Sequence, residues 1–81
     1  MSVEEIPLSV PDIGDAEKIE LVTWKIQEGE NVRADQELCE LVTDKAAFPL
    51  ESPFDGKIIK ILRKEGELVC VGDTLVVLEK S

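Results

Sequence analysis

The chain reads as one unit written twice. Residues 6–14 are IPLSVPDIG and residues 48–56 are FPLESPFDG, so Pro7, Leu8, Pro11 and Gly14 fall on Pro49, Leu50, Pro53 and Gly56, 42 positions later. Further along a second offset holds. Glu28, Gly29 and Glu30 fall on Glu65, Gly66 and Glu67, 37 positions later, with Val32 on Val69, Leu38 on Leu75 and Leu41 on Leu78. Upstream, Val22 meets Ile59 and Trp24 meets Ile61. The two offsets differ by five residues, which the first copy holds between Gly14 and Trp24. The comparison assigns them to Asp15 to Ile19. A duplication of this kind predicts two like halves related by a pseudo-two-fold axis within one domain over residues 1–81.

Each copy reads as short strands separated by turns. Val22, Trp24 and Ile26 alternate with polar neighbours, as a half-buried strand requires, and Ile59 and Ile61 repeat the pattern. Glu-Gly-Glu marks a turn in both copies and Gly72-Asp73 another. Gly29 and Gly66 supply the positive φ that such turns need. Pro7, Pro11, Pro49 and Pro53 interrupt or end strands, because proline cannot donate to a ladder. No stretch shows a capped helical period. The expectation is all-β: eight strands, four per copy, forming two four-stranded antiparallel sheets face to face. Trp24 is expected to point inward.

Composition narrows the function classes. There is no histidine and no tyrosine, so the commonest general base is missing. A chain this short buries only about 60% of its unfolded surface, too little for a deep, lidded substrate pocket. The net charge of −9 repels phosphate backbones and anionic lipid heads, which excludes nucleic acid and membrane as expected partners. Cys39 and Cys70 each stand alone among strand-like residues and lack the spacing of a zinc site. Both read as buried or half-buried free thiols in a reducing compartment. The N-terminal residues have no basic segment followed by an apolar one, so no secretory signal is expected.

One charged residue interrupts this pattern. In LVTDKAAF, residues 41–48, Lys45 sits between two strand-like segments. The repeat sets Asp44 against Ser81, so Lys45 has no counterpart within the chain. The corresponding strand of the second copy stops where the first turns and runs back. Lys45 is therefore expected at a hairpin tip, far from both termini, since threonine, aspartate and small residues suit a tight turn. On these residues alone, Lys45 is either an ordinary solvated charge or a target for another enzyme. It is a poor catalytic amine, because Asp44 beside it favours the charged form.

The segments VPDIG (10–14), WKIQEGENV (24–32), QELCELVTDKAAFPLESPFDGKI (36–58) and EGELVCVGDTLVVLE (65–79) together resemble the lipoyl domains of 2-oxo acid dehydrogenase complexes, carried by their dihydrolipoyl acyltransferase components. The resemblance covers nearly the whole chain. It implies a barrel-sandwich hybrid, a flattened barrel of two sheets. It also implies lipoic acid in amide linkage on Lys45, with Asp44 and Ala46 as flanking recognition positions. Such an arm carries acyl groups and reducing equivalents without catalysis by the domain itself. The implied partners are a lipoate-attaching enzyme, a thiamine-diphosphate-dependent 2-oxo acid decarboxylase, the acyltransferase core and the flavin-dependent dihydrolipoyl dehydrogenase. The implied compartment is bacterial cytoplasm or mitochondrial matrix, with the isolated domain a monomer. In place of a glycine-rich stretch after Asp-Ile-Gly, this chain has Asp15, Ala16, Glu17, Lys18 and Ile19, and Val42 replaces a common glutamate. By the same resemblance the loop of Asp15, Ala16, Glu17 and Lys18 lies beside Lys45. The decarboxylase would read that loop, with Glu17 and Asp44 as charged contacts and Ala46 leaving room for approach.

Two rivals share the architecture. A biotin carrier typically flanks its lysine with methionines, whereas Met1 is the only methionine here. An unmodified barrel-sandwich domain used for protein contacts would leave Lys45 a plain surface charge. A glycine-cleavage carrier needs a longer chain, and a self-contained enzyme needs acid–base residues.

Overall fold

The computed structural model describes residues 4–11 and 18–80. Eight strands follow in order: β1 (Glu5–Ser9), β2 (Ile19–Trp24), β3 (Asn31–Val32), β4 (Glu37–Thr43), β5 (Ala47–Glu51), β6 (Gly56–Ile61), β7 (Leu68–Val69) and β8 (Thr74–Lys80). They form two four-stranded sheets, β1-β8-β6-β3 and β5-β4-β2-β7, and every pairing is antiparallel. Each sheet takes two strands from each copy. The pseudo-two-fold exchanges the sheets, placing β1 on β5, β2 on β6, β3 on β7 and β4 on β8. The copies are thus interleaved, and neither can close its own sheet. The architecture is the all-β flattened sandwich that the duplication predicts.

The core is duplicated too. One cluster holds Leu21, Cys39, Leu41 and Leu75, the other Ile58, Val76, Leu78 and Leu38, which are the same positions 37 residues apart. The turns repeat as well. Gly29 and Gly66 have φ of 88° and 89°, and Asp35 (φ 70°) stands where the second copy has Gly72 (φ 92°). Reciprocal carboxylates tie the copies together. Glu65 accepts from the Trp24 backbone N–H at 2.8 Å, and Glu28, its counterpart, accepts from that of Ile61 at 2.8 Å.

Three expectations need correction. In β2 the inward residues are Ile19 and Leu21, while Val22 is exposed; in β6 it is Ile58 that is fully buried. Register shifts at Val22 and Ile59 explain this, since a bulge reverses the alternation that a simple period-2 reading carries through. Ile19 is therefore no loop residue. It begins β2 where Gly56 begins β6, so the extra residues of the first copy end at Lys18. Trp24 points inward as expected, opposite Cys39 and against both clusters; it stays half-buried because its indole N–H donates to the Arg63 carbonyl at 2.9 Å. A polar edge on the ring needs a partner, which keeps it at the margin of the core. Cys39 is buried as expected, but Cys70 is exposed, because it follows β7 in a turn rather than lying in a strand.

Candidate functional site

The β4–β5 hairpin has a tip made of Asp44, Lys45 and Ala46, all exposed. Its shape is set by Thr43. The Thr43 N–H donates to the Ala46 carbonyl at 2.8 Å, closing the strand pair. The Thr43 hydroxyl oxygen accepts from the N–H groups of Lys45 (3.1 Å) and Ala46 (3.0 Å), and its own hydrogen reaches the Ala46 carbonyl at 3.1 Å. One side chain thereby satisfies the backbone donors of the tip, which a serine- or threonine-type turn does in place of a main-chain carbonyl. Thr43 is itself nearly buried, at 9% exposure, so the staple is anchored in the sheet while Lys45 stands outside it. Ala46 and Ala47 put no bulk next to the lysine. At the equivalent place in the other sheet β1 and β8 lie side by side, with Lys80 N–H donating to the Glu4 carbonyl at 3.2 Å.

Beside the hairpin lies an open groove of about 260 Å³, lined by Lys18, Glu20, Val42, Thr43, Asp44 and Leu68. It brings together Lys18 from the predicted recognition loop and Asp44 from the predicted attachment turn. Asp15, Ala16 and Glu17 lie outside the described residues. Lys45 and Ala46 adjoin the groove in sequence and do not line it. Sequence reasoning passed over Thr43 as a staple and Leu68 as a groove wall. The signal for Leu68 was available in the repeat, where its counterpart is Asn31. Among the described residues no group of three or more histidine, cysteine or acidic side chains is placed to hold a metal ion.

The family model described as biotin-requiring enzyme, covering biotin and lipoyl attachment, matches residues 6–78. A lipoamide acyltransferase component of the branched-chain alpha-keto acid dehydrogenase complex from Pseudomonas aeruginosa is 40% identical over 73 residues, covering 89% of this chain and 17% of that protein. A mitochondrial component of the same name from Arabidopsis thaliana is 40% identical over 72 residues, covering 89% of this chain and 15% of that protein. The chain thus spans about a sixth of the length of the curated relatives it matches. Among solved structures, the lipoyl domain of the 2-oxoglutarate dehydrogenase complex from Azotobacter vinelandii superposes with a TM-score of 0.76 at 28% identity, covering 90% of this chain and 94% of that one. A single-chain, multi-domain long-chain acyl-CoA carboxylase shares the fold, with a TM-score of 0.80 at 23% identity over 95% of this chain and 7% of that one.

Proposed function

The chain belongs to the biotin- and lipoyl-attachment family as a domain of lipoyl type, and from that premise we propose that Lys45 is where lipoic acid is attached. The observation that carries this reading is the hairpin tip: an exposed lysine on a turn held by a neighbour's hydroxyl, with small residues on its far side. The residues fit the group. A lipoyl amide is uncharged and slender, and it needs a free amine that an attaching enzyme can enclose. Lys45 Nζ provides the amide nitrogen, Thr43 keeps the tip in one shape, and Asp44 and Ala46 are the flanking positions that enzyme reads. When bound, the group supplies a strained disulfide that accepts an acyl group together with two electrons.

The domain then works as a tethered carrier within a 2-oxo acid dehydrogenase complex. Tethering makes each visit to an active site effectively intramolecular. The chain itself contributes no acid–base chemistry to the transfers. Its partners are the attaching enzyme, the thiamine-diphosphate-dependent decarboxylase, the acyltransferase core and dihydrolipoyl dehydrogenase. They are met in bacterial cytoplasm or mitochondrial matrix, a reading supported by relatives from a bacterium and of mitochondrial designation. Lys18 and the loop of Asp15, Ala16 and Glu17 serve recognition by the decarboxylase. A deletion that tests the loop removes residues 15–18 and spares Ile19, which is buried.

The deciding experiment is intact-mass analysis after incubation with ATP and either a lipoate-attaching enzyme with lipoate or, in parallel, a biotin-attaching enzyme with biotin. One lipoyl adduct, mapped to Lys45 and absent from Lys45→Arg, supports the reading. Biotin accepted at Lys45 in its place, or no adduct at all, overturns it.

A further inference from the structure

The sheet face beside the Lys45 hairpin differs from its own duplicate. Ala47, Val42, Glu20 and Leu68 form one row across all four strands of β5-β4-β2-β7. The pseudo-two-fold puts Glu5, Glu79, Lys57 and Asn31 in the equivalent row of the other sheet. Both rows face away from the core. The second shows what these positions need in order to fold, which is polar side chains compatible with water. In the first, leucine replaces asparagine, valine replaces glutamate and alanine replaces glutamate. Leu68 is 67% exposed on an edge strand and belongs to neither core cluster. Packing therefore does not account for it, and a bare leucine on a sheet edge is ordinarily a liability. The substitutions concentrate where Val42 and Leu68 line the groove, together with Thr43 and Asp44, the two residues before Lys45.

We propose that this groove is a resting site for the lipoyl arm, which lays its alkyl chain and dithiolane against Val42 and Leu68 when no enzyme is engaged. The inference rests on lipoylation of Lys45. Reach is sufficient. Strands lie about 4.8 Å apart, so Leu68 on β7 is roughly 10 Å from Val42 on β4. From the lysine Cα to the dithiolane is about eleven bonds, about 14 Å extended. The arm is uncharged and mostly apolar, as is the pair of side chains it meets. Lys18 and Glu20 can offer their methylenes to the groove while their charged ends stay in water. A tether this short gives an effective concentration in roughly the millimolar range or above, so a contact too weak to hold free lipoamide still populates the docked state. A weak contact also releases the arm when an enzyme engages it.

The test is methyl NMR on the domain with lipoylation of Lys45 verified by intact mass. Docking predicts cross-peaks from dithiolane and alkyl protons to the Leu68 and Val42 methyls, independent of protein concentration. Leu68→Asn, which installs the duplicate's own residue, removes them without changing the melting temperature. The same variant is expected to react two- to five-fold faster with a water-soluble phosphine that reduces the dithiolane. A verified adduct without those cross-peaks overturns the inference alone. Concentration-dependent cross-peaks also overturn it, in favour of a second copy, and so does slowed acylation by the decarboxylase in Leu68→Asn without cross-peaks in the parent, in favour of an enzyme-docking face. No adduct at Lys45 overturns both this inference and the function it rests on.

Discussion

Replacing Thr43 with valine keeps the shape of the side chain and deletes the staple. The hydroxyl makes three contacts of 3.0–3.1 Å, two as acceptor and one as donor. A neutral hydrogen bond contributes about 0.5–1.5 kcal/mol net. Water can replace the lost partner at the exposed tip, which puts each contact at the low end and the total near 1–2 kcal/mol. For a domain of this size that lowers the melting temperature by roughly 5–12 °C. Much of the effect is local, because β4 and β5 remain paired from Val42↔Ala47 to Glu37↔Glu51. An attaching enzyme must then order the tip itself. If it bears the full 1–2 kcal/mol, kcat/KM for lipoylation falls about 5- to 30-fold. The assay is the initial rate of adduct formation by intact mass, alongside hydrogen exchange at the Lys45 and Ala46 amides. Thr43→Ser keeps the hydroxyl and is expected to stay within about two-fold of the parent rate. Parental lipoylation and exchange in Thr43→Val would refute the idea that this hydroxyl orders the tip.

Three further outcomes follow from the same geometry. A Cβ at position 56 would overlap the Glu79 carbonyl of β8 and come within 3.2 Å of the Phe54 ring, so Gly56→Ala is expected to cost about 1–3 kcal/mol or more; a parental thermal midpoint would show that the approach is not tight. The Thr23 hydroxyl, then the Trp24 N–H, hold the Glu65 carboxyl below its usual range against a small opposing effect of desolvation. That contribution is present above the unfolded value and lost as pH falls through the folded one, so Glu65→Gln should flatten the acid limb of the stability–pH profile, and an unchanged limb would count against it. Burial, with help from Glu37, pushes the Cys39 thiol from 9.0 to about 12, so stability drops as pH rises above about 9, and iodoacetamide near neutral pH should label Cys70 alone; mass mapping of rapid labelling at Cys39 would contradict its burial.

Most of the fold was legible because a repeat states each structural requirement twice. The matched positions Leu38/Leu75, Leu41/Leu78 and Val32/Val69 are all buried, and the Glu-Gly-Glu turns fall where expected. The phase of β2 was not legible. A bulge at Val22 consumes one residue without a partner, and nothing in the hydropathy of Val22 distinguishes it from an inward valine. Past the bulge Trp24 returns to the inward face opposite Cys39, as its size suggests, while its N–H holds it at the margin of the core. At the site, Lys45 stood out because it lacked a counterpart. Thr43 was legible only as a turn residue, because whether its hydroxyl closes its own hairpin depends on a side-chain rotamer that the sequence does not state. Leu68 carried a signal in its counterpart Asn31, but only pairing with Glu20 fixes the face it occupies.

A duplicated fold also separates folding from function, provided that two kinds of asymmetry are kept apart. Some broken pairs lie inside. Ile19 stands opposite Gly56, and Val10 opposite Ser52, all buried. These have a packing account. The glycine leaves room for the Glu79 backbone and the Phe54 ring, and the Ser52 hydroxyl donates to the Phe54 carbonyl at 2.6 Å. Such pairs trade volume between halves that must still close. Other broken pairs lie outside, beside the Lys45 tip: Leu68 against Asn31 and Val42 against Glu79. No neighbouring volume compensates them, so packing has no reason to favour them. Val42 and Leu68 share the groove beside Lys45. Installing Leu and Val at Asn31 and Glu79, the duplicate's own positions, is a direct control: the fold should accept them, while lipoylation of Lys45 and the groove contacts of its arm stay as they were.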